Sequence, residues 1–95
     1  MSALAKRYMA RIHELQCAVH QHCHSEYRPA DEAHHIEFVR GDHSDFAVVP
    51  LCAECHTLLH QMRREPFYRL YNLTDVKLLA WTARAMFAAM ESDRG

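Results

Sequence analysis

Ninety-five residues, 49% of them hydrophobic, point to one domain over 1–95, with a modest core and a size that benefits from a metal staple. A formal net charge of -1 excludes a chain held to nucleic acid by its overall field, so any cationic face is assembled locally. No apolar stretch approaches the roughly 20 residues a membrane helix needs. With no signal peptide visible, the four cysteines, two of them in a C-x2-C beside histidines, read as zinc ligands in a reducing cytoplasm rather than as two disulfides. Nine histidines are the compositional anomaly, and imidazole is both the commonest metal ligand and the side chain that titrates nearest neutral pH.

Ser2 is placed to cap a first helix that runs to about Gln16, with Leu4, Tyr8, Ile12 and Leu15 on one face. Lys6, Arg7 and Arg11 lie off that stripe, as a solvated face or as an approach to a phosphate backbone. The stretch from Cys17 through His20, His22, Cys23 and His24 to Arg28-Pro29 reads as a loop that wraps metal. Cys17 and Cys23 with Cys52 and Cys55 would form a four-thiolate site, the preferred set. His20 competes for Cys23's place because Cys17-x2-His20 has knuckle spacing. His22 and His24 read as polar loop.

Residues 33–39 carry β-branched and aromatic side chains in partial alternation and predict a strand. Residues 40–45 are a turn by composition, and Phe46 to Val49 a short returning strand that ends at Pro50. This hairpin leads straight into Cys52-x2-Cys55 and a helix on which His56 and His60, four residues apart, point the same way. A single C2H2 finger needs roughly a dozen residues between its pairs, whereas Cys55 adjoins His56, so the cysteines and these histidines serve different metals.

Arg63-Arg64-Glu65-Pro66 ends that helix, and Phe67 to Tyr71 forms a short helical turn. Thr74 with Asp75 begins a last helix to about Glu91, with Val76, Leu79, Ala80, Ala83, Phe87 and Met90 helix-periodic. Trp81, Met86, Phe87 and Met90 either close the core, the preferred reading, or form a dimer face.

Together, Ala33-His34-His35-Ile36, Pro50-Leu51-Cys52-x2-Cys55-His56 and the downstream His60 resemble the HNH (ββα-metal, or His-Me finger) endonucleases over about residues 17–62. With Cys17-x-Val19 added, the pattern is similar to small phage and prophage HNH proteins, including the recombination-enhancement nuclease family. The resemblance implies an α+β fold: a zinc-supported ββα-metal hairpin and helix, flanked by N- and C-terminal helices. It also implies cleavage of DNA with a catalytic Mg²⁺, Mn²⁺ or other divalent ion beside the structural Zn²⁺. His35 matches the general base, and His34, His56 and His60 match the ligands of the catalytic ion.

As strand neighbours, His34 and His35 point to opposite faces unless the backbone is irregular there. Asp45 stands about where many HNH proteins carry an asparagine that braces the base, and an ionised carboxylate can only accept hydrogen bonds. Glu32, Glu37 and Asp42 read as solvated, with support of a ligand histidine as the alternative for Glu32. Arg40, Arg63 and Arg64 either contact phosphate or merely solubilise the hairpin tip and helix end. The contrasting expectation is a non-catalytic zinc module that binds nucleic acid or a protein partner, which suits the near-neutral charge.

Overall fold

The structure, a computed structural model, describes residues 1–39 and 42–94, and for Phe38, Val39, Asp42 and His43 the backbone alone. Among the described residues the chain is α+β, with five helices and one two-stranded antiparallel sheet. Helix α1 spans Ala3–His13 and is capped as expected, the Ser2 hydroxyl accepting the Ala5 N–H at 3.1 Å. Its inward face carries Ala5 and Ile12, while Leu4 is 59% exposed and drops out of the expected stripe. The helix also stops short of Gln16, which instead forms an isolated β-bridge with Pro29.

A second helix, α2 (Ala18–Cys23), occupies the segment expected to be loop. Cys17 stands at its N-terminus and donates its own N–H to the Arg28 carbonyl at 2.7 Å, so the polar stretch after α2 folds back along the chain before it.

Strand β1 (Glu32–Val39) pairs with β2 (Asp42–Leu51), placing His34 opposite Val49 and His35 opposite Val48. The returning strand thus begins at Asp42, earlier than its polar composition suggests. Arg40 and Gly41 lie outside the described residues. Pairing is irregular between His35 and Glu37 and again between Glu37 and Val39. Both faces of β2 are covered: Val48 packs with Ile12 of α1 and with Met86, whereas Val49 and Leu51 join a larger cluster with Val19, Leu59 and Phe67. That double burial explains why 48–51 reads as a continuous apolar run rather than an alternating one.

From β2 the chain passes through Cys52 into α3 (Ala53–Met62). The helix ends at Arg63, which adopts a left-handed φ of 77°, a costly conformation for a side chain with a Cβ. Helix α4 (Arg64–Tyr71) follows at once, so Pro66 sits inside a helix rather than ending one. It is tolerated because first-turn residues need no N–H for the helical ladder.

Asn72, a residue suited to the left-handed region, closes α4 with φ 57°. Thr74 Oγ1 then accepts the Lys77 N–H at 3.0 Å to start α5 (Asp75–Arg94). The buried face of α5 is Leu78, Thr82 and Met86. Most of the stripe expected to face the core lies outside, with Val76 72%, Phe87 62% and Met90 54% exposed. No described helix is long and apolar enough to cross a membrane.

Candidate metal centres

Among the described residues, two groups of metal-ligating side chains form. In the first, Cys17 and His20 come from the start of α2, and Cys52 and Cys55 from the start of α3, all four buried. The helix N-termini present partial positive charge and unpaired N–H groups, which favour thiolates; the Cys55 N–H points to Cys52 Sγ at 3.4 Å. Asp31 completes this corner by accepting the Ala53 N–H at 3.2 Å.

His20 Nδ1 lies 3.5 Å from the Sγ of Cys17, 3.5 Å from that of Cys52 and 3.4 Å from that of Cys55. Tetrahedral zinc, with Zn–S about 2.3 Å and Zn–N about 2.0 Å, separates neighbouring sulfur and nitrogen ligands by about 3.5 Å, so this donor set fits that ion. The acid–base balance agrees. A hydrogen bond from Cys55 holds the Cys17 thiol down at about 4, and the same bond pushes Cys55 well up, while burial raises Cys52. A bound dication would offset the clustered negative charge that full ionisation of these thiols brings.

The fourth member is thus His20, and the preferred four-thiolate set is corrected. Cys23 lies six residues beyond Cys17, about 9 Å along a helix axis, too far to meet the same tetrahedron. Its thiol faces the Tyr71 carbonyl at 3.9 Å, and burial raises its pKa. Accordingly, Cys23→Ser is expected to keep one tightly bound zinc per chain and to shift the melting temperature by only a few degrees, whereas His20→Ala loses the zinc. Metal analysis and thermal melts on the two variants check this, and a Cys23→Ser protein purified without zinc would reverse the assignment.

The second group joins His34 of β1 to His56 and His60, one turn apart on α3. His34 Nδ1 lies 3.3 Å from His56 Nε2, which in turn lies 3.1 Å from His60 Nε2. Nitrogen ligands about 2.1 Å from a common ion sit about 3.0 Å apart in octahedral and about 3.4 Å apart in tetrahedral geometry, so the spacing suits a single divalent ion. The other nitrogen of His56, Nδ1, is engaged by the Glu32 carboxylate, which turns Nε2 toward the remaining two histidines.

Burial, followed by His56, His60 and His35, lowers the pKa of His34 to about 4. His34 is therefore neutral, and able to ligate, above about pH 4. An unfolded histidine protonates near 6.5. The contribution of His34 to stability is accordingly complete above about 6.5 and is lost as pH falls from there toward about 4. Over that window, the melting temperature of zinc-loaded His34→Gln is expected to fall less steeply than that of the wild type. Parallel slopes would show that His34 does not titrate this way.

His35 follows His34 directly, yet both line the same groove of about 490 Å³, together with His56, His60, Arg63 and Arg64. The irregular pairing that begins after His35 lets adjacent strand residues share a side. His35 Nε2 lies 3.2 Å from Asp45 Oδ1, so Asp45 does brace this ring, as an acceptor. Arg64 is partly committed elsewhere: Nη1 donates to the Glu37 carbonyl at 3.1 Å and lies 3.5 Å from Asp75, clamping α4 to β1 and α5.

Arg63 faces the groove from the left-handed turn after α3, and Arg40 lies outside the described residues. Of the α1 cations, Lys6 and Arg7 are exposed, whereas Arg11 is bound to Glu14 and Asp93 and ties α1 to the end of α5. Asp31, whose partner is 22 residues away, leaves no local signal in the sequence. No family model, curated protein or solved structure matches the chain.

Proposed function

We propose that this protein is a divalent-metal-dependent endonuclease of the HNH (ββα-metal) type that hydrolyses DNA phosphodiester bonds, supported by a structural zinc on Cys17, His20, Cys52 and Cys55. The observation that carries this reading is the meeting of three imidazole nitrogens in one groove with a further histidine, His35, that is itself held by Asp45. A purely structural metal site needs no additional histidine braced by a carboxylate and facing an open groove. A divalent ion bound by His34, His56 and His60 would supply charge stabilisation for the phosphate and the departing oxygen.

The chain's own groups then have defined tasks. Held against Asp45 through Nε2, His35 would act as the base that accepts a proton from the attacking water. Asp45 fixes that ring and stabilises the imidazolium once formed. Glu32 keeps His56 Nε2 in place, and Arg63 and Arg64 offer positive charge to the backbone flanking the scissile phosphate. Cytoplasmic thiol chemistry suits the cysteine group, and a phage or prophage origin accords with the resemblance that the motifs carry.

The deciding assay is conversion of supercoiled plasmid to nicked or linear product with Mg²⁺ or Mn²⁺. Wild type should convert it, and His35→Ala should not. Equal behaviour of the two proteins across metals and DNA forms would leave the contrasting reading, a zinc module that binds without cutting. That alternative draws on the net charge of -1, which gives little long-range attraction to DNA.

A further inference from the structure

Helix α5 is apolar on two faces, and among the described residues only one of them is buried. Leu78, Thr82 and Met86 point inward, while Val76, Ala80, Ala83, Phe87 and Met90 lie on the exposed side. The outer set is spaced 4, 3, 4 and 3 residues apart, the 3.5-residue period of a coiled-coil seam. We propose that this seam pairs with the same seam of a second copy of the chain, as an antiparallel two-fold dimer.

The choice of occupant rests on self-complementarity. In an antiparallel pair whose layers match residue 83 with 87, Phe87 packs over Ala83 of the partner subunit, and Met90 over Ala80 of the partner subunit. Each large side chain thus meets a small one. A parallel pair would instead stack Phe87 on Phe87 and leave the alanines facing each other across a gap.

The flanking charges agree with the antiparallel register. Lys77 and Glu91 border the same edge of the seam two heptads apart, so reversal of one helix sets Lys77 beside Glu91 of the partner subunit, twice. Arg84 falls near the axis and meets its own copy, one like-charge contact against two attractive ones. From residue 76 to 90 the seam is about 21 Å long, so the buried area lies at the low end for specific association. The dimer should accordingly be weak, with a Kd on the order of 10–100 µM. It lies away from the histidine groove and holds whether or not that groove is catalytic.

Sedimentation equilibrium of the zinc-loaded chain from about 5 to about 500 µM tests this. A monomer–dimer equilibrium is expected. Ala83→Glu, at an exposed position, should raise Kd at least about tenfold while leaving zinc content and melting temperature unchanged. Lys77→Glu and Glu91→Lys should each weaken the dimer, and the double variant should regain affinity, because only the antiparallel pairing brings these two positions together. A monomer at every concentration, or association untouched by Ala83→Glu, overturns the proposal. Additive charge effects with no recovery in the double variant overturn the antiparallel register.

Discussion

Cys55→Ser should abolish the cooperative melt altogether. Cys55 is buried at the start of α3, its sulfur touching the ligand atoms that come from α2. Structural zinc contributes roughly 10–16 kcal/mol of binding free energy in small domains, comparable to or larger than the about 5–15 kcal/mol by which whole domains are stable. Only part of the larger cluster remains if α2 and α3 are no longer joined, and a short α2 of six residues has no stability of its own. Cys52→Ser should do the same, and a strong chelator should mimic both. Far-ultraviolet circular dichroism through a temperature ramp, with zinc content measured alongside, provides the readout. A Cys55→Ser protein that retains stoichiometric zinc and the native melt would show that the cysteine group does not organise the fold.

The second large effect is on rate rather than stability. On the proposed reading, His35→Ala keeps zinc and fold but loses plasmid nicking by about 10²–10⁴-fold, the usual worth of a general base. His56→Ala and His60→Ala should also melt nearly as the wild type does, since the buried residues that anchor α3 are Cys52, Cys55 and Leu59. They should nick poorly for a different reason: each removes one of three ligands, so their activity should partly recover at high Mn²⁺, whereas that of His35→Ala should not. Zinc content, melting and nicking compared across these variants and Cys55→Ser decide the matter. Histidine variants as unfolded as the cysteine variant would mean that the two groups are one structural unit.

That His56 and His60 share one face of α3 is legible from their four-residue spacing, whereas His34 joins them only through the resemblance to the HNH pattern. The cysteine group was readable only in part. Choosing between His20 and Cys23 requires knowing that residues 18–23 are helical, and so short a helix is set by its partners, not by propensity. Helix α5 posed a different difficulty. Its two faces are both apolar, so periodicity found the wrong one; the neighbours Val48 and Ile12 decide that Met86 turns inward and Phe87 outward. At the hairpin, Asp42, His43, Ser44 and Asp45 have turn-like composition, yet pairing with β1 extends the strand across them.

The separation of 35 residues between His20 and Cys55 has a consequence for how the chain reaches its native state. Each half of the zinc set is local, Cys17 with His20 and Cys52 with Cys55, and either half can meet metal in a disordered chain. Joining them encloses the entire hairpin in one loop, whose closure entropy grows only slowly with length. Zinc that has captured both halves therefore tethers the ends of the segment in which β1 and β2 must find their register, restricting the search to conformations of that loop. Loss of the metal releases the same restraint, so exchange of zinc with solvent and opening of the hairpin should be coupled in time.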